Sequence, residues 1–101
     1  MKVIALVNVG AGSLKGQDAD AFRLSLASAF ERHGIEAKLE FVEGDEIRPF
    51  AERALADARR GETDAIVVGG GDGTIRTVAG IFADTGLPVG LLPLGTLNHF
   101  A

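Results

Sequence analysis

A strand that runs directly into a glycine-rich segment most constrains the fold of this chain. Residues 65–68 read Ala-Ile-Val-Val, and residues 69–74 follow as Gly-Gly-Gly-Asp-Gly-Thr. The β-branched run predicts a buried strand and residues 75–83 predict a helix, so the glycines join a strand to a helix. A turn of this kind usually needs fewer glycines than the four that occur in five positions here. We therefore expect the segment to bind a ligand as well as to turn the chain.

The glycine-rich segment, residues 69–74, is suited to a phosphate group. Glycine lacks a Cβ and adopts positive φ, so the backbone can approach a ligand closely with its N–H groups turned outward. The N-terminus of the following helix adds partial positive charge. The segment is not a P-loop, because no lysine follows it, and Arg76 stands where a dinucleotide fingerprint needs its third glycine. The sequence predicts phosphate or nucleotide contact, and a purely structural turn is the alternative.

Asp72 places a carboxylate inside the segment predicted to hold phosphate. A carboxylate is repelled by phosphate unless a cation or a substrate hydroxyl lies between them. One interpretation makes Asp72 a partner of Mg²⁺ or of the reacting hydroxyl group. The other makes Asp72 a turn residue whose side chain accepts backbone N–H bonds. The sequence leaves both interpretations open.

Strands and helices alternate along the chain without a linker. We predict strands at residues 3–7, 35–42, 65–68 and 89–92, and helices that begin at Asp18 or Asp20, at Asp45 and at Thr74. This alternation predicts an α/β fold, a Rossmann-like doubly wound parallel sheet. In such a sheet the loops at residues 8–13, 69–74 and 93–98 all follow carboxyl ends of strands, where ligands bind.

The amino-acid composition limits the binding partners and the cellular compartment that are expected for this chain. The 101 residues carry a net charge of −4 and form no basic stripe, which argues against a nucleic-acid partner. The absence of cysteine excludes disulfides, zinc–thiolate sites and thiol nucleophiles, and it favours a reducing, cytoplasmic compartment. No apolar run approaches the length of a transmembrane helix.

Two motifs carry a resemblance to a known family. Residues 70–74 read Gly-Gly-Asp-Gly-Thr, and residues 93–101, after the next strand, read Pro-Leu-Gly-Thr-Leu-Asn-His-Phe-Ala. With them the chain resembles the catalytic domain of diacylglycerol kinases and of YegS-like bacterial lipid kinases. That superfamily also includes sphingosine kinases and, more distantly, NAD kinases and phosphofructokinases. The first motif is widely shared, whereas the second is more specific to lipid kinases.

The resemblance implies that residues 1–101 are the N-terminal nucleotide-binding domain of a lipid kinase, truncated before a β-rich substrate domain that supplies the general base. The full-length enzyme would transfer the γ-phosphoryl of ATP, with Mg²⁺, to a lipid alcohol during transient contact with a membrane surface. The fragment alone would be inactive. The resemblance assigns no metal ligand; it implies Asp72 as the catalytic residue and nucleotide contacts at Asn8, Gly12, Gly70, Gly71, Asp72, Gly73, Thr74, Thr96 and Asn98.

The chain departs from the family pattern in its first loop and in its last motif. Val9 replaces a proline, Glu40 stands where a Thr or Ser often contacts the nucleotide, and Arg76 replaces a frequent Asn. His99 replaces an aspartate, which removes a carboxylate from the metal-linked network. A NAD-kinase-like enzyme is one alternative, although residues 93–101 argue against it. A non-catalytic phosphate-binding or self-associating module is another. An unpaired sheet edge would also allow the fragment to form a homo-oligomer.

Overall fold

The computed structural model describes residues 1–8 and 17–93 of the chain. Within this part, four strands alternate with three α-helices, and a short 3₁₀ turn at Gly44–Glu46 precedes the second helix. In chain order the elements are β1 (Lys2–Asn8), α1 (Gln17–Arg32), β2 (Glu36–Val42), α2 (Ile47–Arg59), β3 (Ala65–Gly70), α3 (Asp72–Phe82) and β4 (Val89–Pro93).

The four strands form one parallel sheet in the order β2-β1-β3-β4. In the middle of the sheet, Val7 of β1 lies opposite Phe41 of β2 on one side and opposite Gly69 of β3 on the other. The chain moves outward from β1 to β2 and then returns past β1 to β3. The topological switch point therefore lies between β1 and β3. This topology confirms the predicted doubly wound α/β sheet.

The main core lies between the sheet and helices α2 and α3. β1 is buried from Val3 to Val7, as a central strand covered on both faces requires. Ile4 and Leu6 belong to the cluster that contacts α2 and α3. The other buried members of this cluster are Val42, Ile47, Ala51, Ala54, Ile66, Val68, Val78 and Phe82.

Helix α1 packs on the other face of the sheet, against β2. The ring centroids of Phe22 and Phe41 are 6.2 Å apart, and the guanidinium carbon of Arg23 lies 4.4 Å from the Phe41 centroid. Phe22 and Phe30 are half-buried, whereas Leu24 is 69% exposed. The two phenylalanines of α1 are therefore only partly enclosed. Among the described residues, no helix is long and apolar enough to cross a membrane.

Two predicted helix starts were wrong. Helix α3 begins at Asp72, not at Thr74, because Gly71 takes an extended conformation (φ −87°, ψ −175°) and serves as the N-cap. Asp72, the next residue, has an acidic side chain, which stabilises the first turn of a helix. Asp45 does not cap α2; it lies in the 3₁₀ turn, where the Glu43 N–H donates a hydrogen bond to the Glu46 carboxylate at 3.4 Å.

Candidate functional site

The carboxyl ends of β1 and β3 lie side by side at the switch point. β1 ends at Asn8 and β3 ends at Gly70, each one residue beyond the paired Val7 and Gly69. β4 ends at the same edge, with Pro93 opposite Gly70. Open parallel sheets bind ligands at this edge. Asn8 and the glycine-rich segment together therefore form the candidate site.

A side-chain hydrogen bond crosses the switch point. Nδ2 of Asn8 donates to Oγ1 of Thr74 at 2.8 Å, and Thr74, in the first turn of α3, is only 9% exposed. A hydrogen bond of this kind contributes about 0.5–1.5 kcal/mol to stability. The end of β1 therefore fixes the position of the first turn of α3.

Gly70 allows Thr74 to pack against the end of β3. Its φ is +155°, a conformation that residues with a side chain rarely adopt. A Cβ at this position would lie 3.0 Å from Cβ and 3.1 Å from Oγ1 of Thr74. Backbone conformation and packing thus both require glycine here, whether or not a ligand binds.

Gly71 and Gly73 have no such structural requirement. Elsewhere in the described chain, no heavy atom lies within 4 Å of a Cβ placed on either residue. Within residues 69–74, Gly70 alone has a positive φ. The open space beside Gly71 and Gly73 is what a ligand needs to approach the backbone closely.

The backbone amides of Asp72, Gly73 and Thr74 lie in the first turn of α3. The first N–H groups of a helix have no partner within it, and no side chain of the described residues caps this helix end. The in-helix ladder begins with the Ile75 N–H, which donates to the Gly71 carbonyl at 3.1 Å. Amides that have no partner within the helix and the helix dipole together favour an anion at this point.

The Asp72 carboxylate is exposed beside these amides. Among the described residues it has no hydrogen bond or ion pair, so its interpretation as a turn-forming residue has no support there. The same part of the chain contains no group of three or more His, Cys, Asp or Glu residues that could hold a metal ion. Asp72 is therefore a single carboxylate next to an anion-binding helix end.

The structure brings together some of the predicted site residues and does not describe others. Asn8 lies with Gly70, Gly71, Asp72, Gly73 and Thr74, whereas Gly12, Thr96, Asn98 and His99 lie outside the described residues. Sequence reasoning missed Gly44, where an added Cβ would lie 3.5 Å from Nδ2 of Asn8. Gly44 follows the carboxyl end of β2 in a parallel sheet, and this position in the sequence predicts that it lies at the same edge as Asn8.

Comparisons with known proteins point to one family. Residues 2–101 match the family described as the diacylglycerol kinase catalytic domain. The chain is 36% identical over 100 residues to a diacylglycerol kinase of Mycobacterium tuberculosis, covering 99% of the chain and 30% of that protein. It is 33% identical over 98 residues to a probable lipid kinase, YegS-like, of Klebsiella pneumoniae, covering 95% of the chain and 30% of that protein. The chain thus spans less than a third of the length of these curated relatives.

Proposed function

Because the chain belongs to the diacylglycerol kinase catalytic domain family, we propose that it binds the phosphates of ATP at the glycine-rich segment of a lipid kinase. The observation that supports this proposal is that packing requires one glycine of the segment but not two others. Packing accounts for Gly70, whereas Gly71 and Gly73 leave open space beside helix amides that no side chain of the described residues caps. A phosphate group accounts for both the space and the amides.

The residues of the segment would then have separate roles in nucleotide binding. The N–H groups of Asp72, Gly73 and Thr74 donate hydrogen bonds to phosphate oxygens. Asn8 acts through Thr74, since their hydrogen bond holds the first turn of α3 against β1. Gly12, Thr96 and Asn98 complete the proposed nucleotide contacts. Phosphoryl transfer depends mainly on such positioning and on electrostatic stabilisation.

Asp72 is the proposed catalytic residue. Its exposed carboxylate is next to the amides that would hold the phosphates. Mg²⁺ fits this arrangement, because in kinases it is held by one or two carboxylates together with the substrate phosphates and waters. Asp72 would supply the carboxylate, and a bound Mg²⁺ would neutralise phosphate charge.

The proposed acceptor is a lipid alcohol, supported by the names of the relatives and by the motif at residues 93–101. The matched region is 30% of each relative. We therefore propose lipid phosphorylation in the cytoplasm, with transient contact at a membrane surface. This activity is proposed for a protein that contains both this chain and a counterpart of the remaining part of the relatives. The 101-residue chain by itself should bind the nucleotide without transferring phosphate.

A kinase assay on the product of the complete gene tests this proposal, with diacylglycerol and NAD offered separately as acceptors. Asp72→Asn should lower the rate of phosphate transfer to diacylglycerol by about 100-fold or more, as expected for a group that stabilises transition-state charge. Asp84→Asn is the matched control, because Asp84 is exposed beyond the far end of α3 and its φ of +61° suits asparagine.

Three outcomes would contradict parts of the proposal. Full activity of Asp72→Asn would remove Asp72 from catalysis. Phosphorylation of NAD and not of diacylglycerol would favour the NAD-kinase-like alternative. ATP binding without transfer to either acceptor would favour a non-catalytic module.

A further inference from the structure

The outer surface of α2 and α3 contains an open cleft that the proposed nucleotide site does not use. Its volume is about 420 Å³. Arg48, in the first turn of α2, lines one side, and α3 lines the rest with Arg76, Thr77, Gly80 and Ile81. This set of residues is called the arginine cleft below.

The arginine cleft adjoins the glycine-rich segment but does not include it, since none of residues 69–74 lines the cleft. Arg76 follows Gly73 by three residues and Asp72 by four, so it lies one turn further along the same side of α3. Thr74 is buried and hydrogen-bonded to Asn8, whereas Arg76 is exposed. A ligand in the arginine cleft would therefore occupy a site next to the proposed nucleotide site, with its own lining residues.

The charges in the arginine cleft are unbalanced. Arg48 and Arg76 are exposed, and neither forms an ion pair within residues 1–8 and 17–93. Glu52 lies one helical turn after Arg48, and Asp72 lies one helical turn before Arg76. No carboxylate lines the cleft itself, however. Four other clefts in the described part of the chain are each lined by at least one carboxylate. Two unpaired arginines in one cleft are thus unusual for a chain with a net charge of −4.

We propose that the arginine cleft binds a phosphate group, carried either by a phospholipid headgroup or by a soluble phosphate ester. A guanidinium group presents planar, paired donors that match phosphate oxygens. The Thr77 hydroxyl can donate a further hydrogen bond, and Gly80 leaves room, since an added Cβ there meets nothing within 4 Å. The nearby Glu52 and Asp72 keep the surface from being broadly positive, which favours one discrete anion over a polyanion. This proposal does not depend on ATP binding at the glycine-rich segment.

Two binding experiments on the chain distinguish the sources of the phosphate. Amide chemical shifts are followed during titration with glycerol 3-phosphate, and co-sedimentation is measured with phosphatidylcholine vesicles that contain or lack phosphatidic acid. Arg48→Gln and Arg76→Gln should each weaken binding by on the order of tenfold, as expected when one charge-assisted hydrogen bond is lost. Arg32→Gln removes the same charge from an exposed position in α1 and should leave binding unchanged.

Each outcome decides the proposal. Shifts at Arg48 and Thr77 with glycerol 3-phosphate, weakened in both cleft variants, support a soluble ester. Co-sedimentation that requires phosphatidic acid, and that both variants weaken, supports a lipid headgroup. The proposal is overturned if neither probe binds, if the cleft variants bind as well as Arg32→Gln, or if the shifts are confined to residues 70–74. In wild type and in both cleft variants, the amide chemical shift of Gly73 on addition of ATP reports binding at the glycine-rich segment separately.

Discussion

Alanine substitutions at Gly70 and at Gly73 add the same methyl group but should change stability in opposite directions. At Gly70 the new Cβ would lie 3.0 Å from Cβ of Thr74, on a residue whose φ is +155°. A sparsely populated backbone conformation costs about 1–3 kcal/mol, and overpacking costs about another 1–3 kcal/mol. We therefore expect Gly70→Ala to lower the free energy of unfolding by roughly 2–6 kcal/mol.

At Gly73 the added Cβ meets nothing within 4 Å, and the residue lies within α3. Alanine is favoured over glycine inside a helix by about 0.5–1 kcal/mol. Gly73→Ala should therefore raise the free energy of unfolding by up to that amount. The same methyl group would occupy the space proposed for phosphate, so Gly73→Ala should weaken ATP binding.

Thermal unfolding followed by circular dichroism measures the stability difference, and calorimetric titration measures ATP affinity. In a domain of this size about 1 kcal/mol shifts Tm by about 4–8 °C, so the two variants should differ in Tm by at least about 10 °C. Equal stability of the two variants would refute the packing argument for Gly70. Wild-type ATP affinity in Gly73→Ala would refute the assignment of the open space to phosphate.

Two further substitutions test single hydrogen bonds. Thr74→Val keeps the side-chain shape and removes the acceptor for Asn8, so urea unfolding should show a loss of about 1–3 kcal/mol; wild-type stability would mean that this bond contributes nothing. Thr85→Ala removes a hydroxyl that donates to the Phe82 carbonyl at 2.7 Å and accepts from the Leu87 N–H at 3.2 Å. We expect a loss of about 1 kcal/mol and faster exchange of the Leu87 amide with solvent, and unchanged exchange would contradict this role.

The fold was predictable because its main determinants are local. The apolar run at residues 3–7 indicates a strand covered on both faces, and the alternation of strands and helices permits few topologies. Gly34 and Gly61, which follow α1 and α2, have φ of +70° and +79°, as glycines that end helices do. The start of α3 was not predictable in this way, because glycines on both sides of Asp72 have low helix propensity.

The sequence predicted where the site lies, but not the contacts between its residues. Parallel strands place their carboxyl ends at one edge, which was enough to bring Asn8 and the glycine-rich segment together. The hydrogen bond from Asn8 to Thr74 joins residues 66 positions apart, and no periodic pattern encodes such a contact. The arginine cleft likewise depends on the packing of α2 beside α3, since neither Arg48 nor Arg76 stands in a motif with the other.

The proposed function depends on binding of the ATP phosphates by the glycine-rich segment. Amide chemical-shift mapping of the chain during titration with ATP and Mg²⁺ tests it most directly. We predict that the largest shifts occur at Asp72, Gly73 and Thr74, accompanied by the side-chain amide of Asn8. Largest shifts at residues remote from the carboxyl edge of the sheet, or no shifts at saturating ATP, would contradict it.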